Sequence, residues 1–154
     1  MDVHQTLKNL QIELPDAPAP AANYVPYVRS GNLVFISGQV AMDADGFVRG
    51  KLGENMSVED GQKAARLCAL NLLAQLSAAC GGDLNQVTRI VKLTGFVNAT
   101  PDFTQHPQVV NGASDLFAEL FGDAGKHARA AVGSSSLPMG VAVEVEGIFE
   151  VAVE

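Results

Sequence analysis

The sequence predicts one α+β domain in which two helices pack on one face of a β-sheet. A length of 154 residues suits a single domain. Hydrophobic residues make up 47% of the chain, which is enough to bury a core without disulfide bonds. The hydrophobic patterns follow the order strand, helix, strand, helix, strand, strand, and this order is typical of helices that cover one side of a sheet.

The N-terminal segment, residues 1–23, is predicted to be extended, and residues 24–154 are predicted to form the domain. From Pro15 onward the segment is rich in proline and alanine, and proline disfavours a helix. The first residues carry no apolar signal core, so we expect no secretion signal and a cytoplasmic location. No apolar run approaches the roughly 20 residues that a membrane span needs.

A strand and a long helix come next. The apolar run 33–36 is bounded by glycines and predicts the first strand. Asp45 and Gly46 predict a turn or hairpin after it. The helix is predicted over residues 57–80, because Ser57 is a favourable N-cap and acidic residues occupy the first turn. A glycine pair directly after this stretch ends the helix.

The second half of the chain supplies the other elements. Residues 86–98 are rich in β-branched and aromatic side chains and predict a strand. The second helix follows Pro107, a favoured first-turn residue, and shows the clearest helical periodicity in the chain. Two strands, 127–135 and 141–153, close the sequence and are joined by a turn at 137–140.

Charge and cysteine content narrow the function classes. The 17 acidic and 10 basic residues give a net charge of -7. This charge disfavours a general nucleic-acid binder, which needs a basic face.

Cys68 and Cys80 lie in one predicted helix, about 18 Å apart along its axis, which is too far for a disulfide. We expect both to be small buried side chains. His4, His106 and His127 show no metal-ligand spacing with them, so we expect no structural metal.

The strand 127–135 contains the first candidate functional residue, Arg129. Alternation predicts that Ala128, Ala130 and Val132 lie beneath a helix, whereas Arg129 and its small neighbours Ala131 and Gly133 face the other side. A guanidinium beside small side chains can bind a small carboxylate through two parallel hydrogen bonds. The alternative is a surface arginine that forms a salt bridge with a glutamate.

The last strand contains the candidate acid–base residues. Its valines share one face with Phe149, and Glu144, Glu146 and Glu150 share the other. These glutamates could form a solvated face of the sheet. Alternatively, one of them near Arg129 could act as a general base or orient a water molecule. The pattern does not choose among them.

Four segments together are characteristic of a known family. They are GNLVFISGQV, the strand that ends in GFVN, the helix that ends in FAELFG, and ARAAVGSSSLPMGVAVEVEGI. On these segments the chain resembles the Rid family, the YjgF/UK114 group that is also labelled endoribonuclease L-PSP, over about residues 24–153. The resemblance implies a chorismate-mutase-like fold with a mixed sheet, assembled as a homotrimer with clefts between adjacent subunits. It also implies hydrolysis of reactive enamine or imine acids to 2-keto acids and ammonia, without metal or cofactor.

The resemblance assigns roles to two charged residues. Arg129 matches the carboxylate-binding arginine of the family, and Glu144 matches the glutamate that holds the attacking water. The asparagine on the second helix of the family aligns with either Asn111 or Ser114.

Four further positions match the substrate-binding residues of the family. Tyr24 matches the tyrosine of a Pro-Tyr-Ser segment, although Asn and Val flank it here. Gly38 lies in the shared SGQ motif, and Phe96 matches an aromatic residue on the strand before the second helix. Ala131 stands where many members have Cys or Thr. These residues are expected to line a cleft for a small substrate that carries a carboxylate.

Two other functions remain as alternatives. The family label suggests endoribonuclease activity, which the acidic balance and the lack of a His/Lys cluster disfavour. A trimer that binds small carboxylates or partner proteins without catalysis is the other alternative.

Oligomerisation has support from the sequence pattern itself. The strand around Leu33 is apolar on both faces, since Leu33 and Phe35 alternate with Val34 and Ile36. The strand around Val91 is predicted to place Val91, Leu93 and Val97 on one side and Ile90 and Phe96 on the other. Strands of this kind belong in sheets that are covered on both faces, and two helices cover only one. A neighbouring subunit is therefore expected to cover the second face.

Overall fold

The computed structural model describes residues 2–20 and 22–153. Within these residues, three α-helices and seven strands occur in chain order. They are α1 (Val3–Asn9), β1 (Tyr27–Ser30), β2 (Leu33–Val40), β3 (Met42–Asp43), β4 (Gly46–Phe47), α2 (Val58–Ala79), β5 (Val87–Asn98), α3 (His106–Phe121), β6 (Ala128–Ser134) and β7 (Val143–Val151). Short 3-10 turns lie at Leu84–Gln86, Gly122–Gly125 and Pro138–Gly140.

Five strands form the main sheet in the order β1-β2-β7-β5-β6. All neighbouring pairs are antiparallel except β5 and β6, which are parallel. The sheet is therefore mixed. Strands β3 and β4 form a separate hairpin, and Gly46 at its turn has a φ of 115°, a conformation that favours glycine.

The helices α2 and α3 pack side by side on one face of this sheet, as predicted. Ser57 caps α2 by accepting a hydrogen bond from the Asp60 amide at 3.1 Å, and Cys80 ends the helix. The largest wholly buried side chains, Phe117 of α3 and Phe149 of β7, have ring centroids 5.7 Å apart in the core. None of the helices in the described residues is long and apolar enough to cross a membrane.

The N-terminal segment differs from the prediction, because residues 3–9 form the helix α1 instead of an extended chain. The Asp2 carboxylate caps this helix by accepting hydrogen bonds from the amides of His4 and Gln5 at 3.0 and 3.3 Å. Val3 and Leu7 lie one turn apart and are both buried. Seven residues are too few for a stable isolated helix, so this burial is what stabilises α1.

The two faces of β6 are the reverse of the prediction. Arg129 pairs with Leu93, which is wholly buried beneath the helices, so Arg129 and its alternate neighbours face α3. A Cβ atom on Gly133 would lie 2.6 Å from the His106 Nε2 of α3. The small residues beside Arg129 are therefore needed because α3 passes close to them. Ala128, Ala130 and Val132 lie on the open face.

The alternation along β5 also departs from the prediction. Ile90 lies in the core with Leu93 and Val97, all three wholly buried, whereas it was predicted to share a face with Phe96. The register between β5 and β7 shifts between Ile90 and Lys92. Such a bulge adds one residue to a strand and inverts the alternation beyond it. Val91 is half-buried at this shift.

The second face of the sheet is uncovered in a single chain and is partly apolar. Val34 and Ile36 of β2 are buried in the core, while Phe35 between them is 41% exposed on the open face. Val28, which pairs with Phe35, and Val132 are also exposed. The prediction that β2 is apolar on both faces is confirmed.

Candidate functional site

Arg129 is held on the helix side of the sheet by neutral acceptors. Its Nη1 donates hydrogen bonds to Asn111 Oδ1 at 2.8 Å and to Ser114 Oγ at 3.1 Å. Its Nη2 lies 3.5 Å from the carbonyl oxygen of Pro107. Among the residues that the structure describes, no carboxylate lies within ion-pair distance of Arg129. The salt-bridge interpretation is therefore wrong, because neutral oxygens of Asn111, Ser114 and Pro107 accept the hydrogen bonds of this guanidinium.

A histidine extends this hydrogen-bond network. His127 Nδ1 lies 2.6 Å from the carbonyl oxygen of Gly125, and Nε2 lies 2.9 Å from Ser114 Oγ. Because a carbonyl oxygen only accepts, Nδ1 carries the hydrogen, and Nε2 of the neutral ring accepts from the serine hydroxyl. Burial lowers the pKa of His127, and the nearby Arg129 charge lowers it further. The neutral ring therefore orients Ser114 toward Arg129.

The helix α3 contributes two side chains to the Arg129 site rather than one. The alignment left Asn111 and Ser114 as alternatives, and both contact the same Arg129 nitrogen. They lie three residues apart on α3, so they share one flank of that helix. His127 had no predicted role, since only the fold brings it to Ser114.

Glu144 lies in a different place, where it lines a pocket of about 620 Å³. Tyr24 and Gly38 also line this pocket, so three of the predicted site residues are brought together. A Cβ atom at Gly38 would overlap the Glu144 carboxylate. Glycine is therefore needed at this position because the carboxylate occupies the space beside it.

The electrostatic setting of Glu144 suits a proton acceptor. Burial raises the pKa of its carboxyl group above the ordinary value of 4.5, and the negative charge of Glu146 raises it further. A carboxylate with a raised pKa holds a proton more readily near neutral pH. Among the predicted glutamates, the structure thus distinguishes Glu144 by its half-buried position in the pocket.

The predicted residues form two groups on opposite faces of the sheet. Glu144 lies between Val143 and Val145, which point into the core, so it faces the open side, whereas Arg129 faces α3. Their strands are separated by β5. Strand spacing and rise place their Cα atoms about 14 Å apart. One chain therefore does not bring the guanidinium and the carboxylate into one site.

The remaining two predicted residues divide between these groups. Phe96 pairs with Glu144 across β5 and β7 and is half-buried on the open face, although it is not a lining residue of the pocket. Ala131 pairs with Gly95 and packs against the core on the Arg129 side.

The described residues contain no group of three or more His, Cys, Asp or Glu side chains that could hold a metal. Cys68 is wholly buried, and its Sγ lies 3.3 Å from the carbonyl oxygen of Val143. Burial raises the pKa of this thiol, which opposes formation of the nucleophilic thiolate. Cys80 is half-buried at the end of α2, and burial also raises its pKa.

Comparison with known proteins matches this chain to a protein family. The model described as "YjgF/chorismate_mutase-like, putative endoribonuclease" matches residues 5–149. Protein TCP17 of Trypanosoma cruzi is 50% identical to this chain over 150 residues, which are 96% of the chain and 93% of that relative.

Solved structures agree with the fold. The structure of Atu1372 from Agrobacterium tumefaciens is similar with a TM-score of 0.90 and 46% identity, over 97% of this chain and 92% of that one. The structure of E. coli TdcF with bound serine is more distant, with a TM-score of 0.61 and 29% identity over 90% of this chain and 93% of that one. The chorismate-mutase-like fold that the resemblance implied is confirmed.

Proposed function

The chain belongs to the Rid family, also called the YjgF/RutC family, and on that basis we propose that it hydrolyses reactive 2-imino acids. The products are a 2-keto acid and ammonia. The observation that carries the proposal is the pair of complementary groups: an arginine without a carboxylate partner among the described residues, and a pocket glutamate with a raised pKa. The carboxylate of an imino acid can bind to the arginine. Its electrophilic C=N carbon can react with a water molecule held by the glutamate.

The site is proposed to form between two copies of the chain. Arg129 and Glu144 of one chain lie on opposite faces of the sheet, and their Cα atoms are about 14 Å apart. In an imino acid the carboxylate is bonded directly to the C=N carbon, so these two groups are only a few ångströms apart. Contact with both groups therefore requires Arg129 from one subunit and Glu144 from its neighbour. The family resemblance implies that the assembly is a homotrimer, which would have three equivalent clefts.

The chemical step needs one proton acceptor and no cofactor. Glu144 accepts a proton from a water molecule while the water oxygen bonds to the imine carbon, and the C=N electron pair moves to nitrogen. Glu144 passes this proton to the nitrogen, and the resulting tetrahedral carbon carries hydroxyl and amino groups. Glu144 then accepts the hydroxyl proton and passes it to the amino nitrogen, the C–N bond breaks as the C=O bond forms, and ammonia leaves with Glu144 again a carboxylate. One water is consumed for each ammonia released.

Arg129 binds and orients the substrate in this scheme. Two parallel hydrogen bonds from a guanidinium fix the plane and the direction of a carboxylate. Fixing the carboxylate also fixes the adjacent carbon relative to the water, which lowers the entropic cost of the reaction. The related TdcF structure contains bound serine, an amino acid that carries the same type of carboxylate.

Ribonuclease activity is the second candidate, because the matching family description contains that term. The charge of the pocket disfavours it. Glu144 and Glu146 both line the pocket, and their negative charges oppose the approach of an RNA backbone. Incubation of RNA with the wild type and with Arg129→Ala checks this candidate directly, since RNA cleavage by the wild type alone would favour it.

Subunit mixing tests the shared site. Arg129→Ala and Glu144→Gln are each expected to lose most of their imine hydrolysis. When equal amounts are mixed and allowed to exchange subunits, about a quarter of the clefts in a cyclic trimer regain both side chains. Hydrolysis should return to about that fraction of the wild-type rate. A mixture of Arg129→Ala with Arg129→Leu is the matched control and should stay inactive.

The rate is measured by competition, because free imines also hydrolyse slowly in water. An amino-acid oxidase generates the imine in the presence of a semicarbazide trap, and hydrolysis by the protein lowers the trapped fraction. Recovery of activity on mixing would support a shared site. Lack of recovery, with subunit exchange verified by mass, would contradict it. Binding of keto acids without any turnover would instead favour a non-catalytic carboxylate-binding trimer.

A further inference from the structure

The walls of the Glu144 pocket are predominantly apolar. One wall is an N-terminal arm, residues 18–20 and 22–26, which contributes prolines, alanines and the Tyr24 ring. A second part of the lining includes Phe47 and Met139. The charged side chains among the lining residues are Glu144 and Glu146. The polar lining side chains Ser37, Gln39 and Asn71 already donate hydrogen bonds to backbone carbonyl oxygens. Beyond the carboxylates, the pocket therefore offers mainly hydrocarbon surface to whatever enters it.

The arm is fixed to the domain at both ends. Gln75 of α2, which is 2% exposed, donates a hydrogen bond from Nε2 to the carbonyl oxygen of Pro18 at 2.6 Å. Ser37 of β2 donates from Oγ to the carbonyl oxygen of Val25 at 2.8 Å. A buried amide donor needs such a partner, so the position of the arm is tied to the core. This wall of the pocket is preformed.

The part of the lining formed by Phe47 and Met139 is also held in place. Met139 has a φ of 56°, an uncommon conformation for a residue other than glycine. Its carbonyl oxygen accepts a hydrogen bond from Arg49 Nε at 2.8 Å. The Arg49 guanidinium lies over the Phe47 ring, 5.4 Å from its centre. Phe47 and Met139 are thus bound together through one arginine.

We propose that this pocket receives the side chain of the substrate, so that the protein prefers 2-imino acids with branched aliphatic or aromatic substituents over those with small or polar ones. The proposal rests on the proposed function, which puts the imine carbon within reach of a water held by Glu144. The substituent on that carbon then lies in the same pocket. A polar substituent would lose its hydration against hydrocarbon walls, whereas an apolar one gains by leaving water.

The first test compares imines made from leucine and from alanine in the trapping assay. The leucine side chain has three more carbon atoms, so kcat/KM is expected to be about tenfold higher or more for its imine. Binding of the product analogues provides a readout without turnover. By calorimetry, 4-methyl-2-oxopentanoate should bind the wild type more tightly than pyruvate by a similar factor.

A matched pair of variants locates the preference in the pocket. Ala19 lines the pocket, whereas Ala17, just before the arm, does not. Ala19→Trp should fill part of the pocket and reduce the leucine-to-alanine preference to near unity, mainly by lowering the rate with the leucine imine. Ala17→Trp should keep the wild-type preference. Both alanines are exposed, so neither change should affect folding.

The outcomes separate the two proposals. Equal kcat/KM for both imines with the wild type would overturn the substrate preference and leave imine hydrolysis standing. Absence of hydrolysis, combined with tighter binding of the branched keto acid that Ala19→Trp abolishes, would overturn the reaction and support the apolar subsite. An unchanged preference in Ala19→Trp would show that the preference arises outside this pocket and would overturn the assignment.

Discussion

The contact between Gly38 and Glu144 is the tightest constraint on the pocket carboxylate. A methyl group at Gly38 would overlap the end of a flexible side chain rather than backbone, so the carboxylate would move and the fold would remain. We expect Gly38→Ala to lower kcat for imine hydrolysis by about 10- to 100-fold, because displacement of a reacting group by about 1 Å has such an effect. The trapping assay measures the rate, and the melting temperature checks the fold. Wild-type kcat in a folded variant would contradict the role of this contact.

The protonation of Glu144 predicts the pH dependence of the reaction. The group works as a carboxylate, and burial raises its pKa above 4.5. As pH falls through that raised pKa, Glu144 takes up a proton and kcat should fall, so the acid limb is expected at a higher pH than for an ordinary carboxyl group. In Glu144→Gln the residual rate should lack this limb. If the limb persists in the variant, another group is responsible for it.

Ser114 acts on Arg129 rather than on the reacting carbon. It accepts a hydrogen bond from Arg129 Nη1 and donates one to His127, so it positions the guanidinium. Ser114→Ala is expected to raise KM about three- to tenfold while kcat changes little, since loss of one neutral hydrogen bond costs about 1 kcal/mol. Ser114→Thr, which keeps the hydroxyl, should restore most of the affinity. A fall in kcat at constant KM would contradict a positioning role.

At the level of elements, α1 depends on its contacts with the rest of the fold. Leu7 is 6% exposed, and Lys8 beside it is exposed. We expect Leu7→Ala to lower the free energy of unfolding by about 2–3 kcal/mol, because a buried leucine is lost. The matched change Lys8→Ala should alter it by less than about 0.5 kcal/mol. Denaturant titration measures both, and equal effects would show that α1 contributes no packing.

For the whole molecule, the open face of the sheet predicts self-association. Phe35 is 41% exposed among other apolar residues of this face, and an uncovered face of this kind is an aggregation risk in a monomer. Light scattering behind a sizing column should give the mass of three chains of 16.1 kDa for the wild type. Phe35→Arg should give monomers that have lost imine hydrolysis.

Val153→Asp serves as the control for this prediction. Val153 is 75% exposed beyond the end of β7, so the change adds a charge at an exposed site outside the sheet. It should leave the trimer intact. A stable wild-type species of 16.1 kDa at micromolar concentration would refute both the trimer and the site shared between subunits.

Local patterns in the sequence were sufficient for most of the elements. The helix α2 follows from its Ser57 cap and helical spacing, and α3 from its apolar stripe, because these signals involve residues within a few turns of each other. The apolar character of both faces of β2 also follows from local sequence, because consecutive apolar residues of a strand point to opposite faces. The resemblance, rather than any pattern, selected Arg129 and Glu144 from among the charged residues.

Tertiary structure decided the features that depend on distant partners. Alternation along β6 separates two faces, but only the position of α3 determines that Arg129 faces the helix. The shift near Ile90 depends on pairing with β7, and α1 forms only because the fold buries Val3 and Leu7. The sequence by itself thus determined elements such as α2 and α3, since their signals are local. The separation of Arg129 from Glu144 and the apolar walls beside Glu144 exist only after distant segments have packed together.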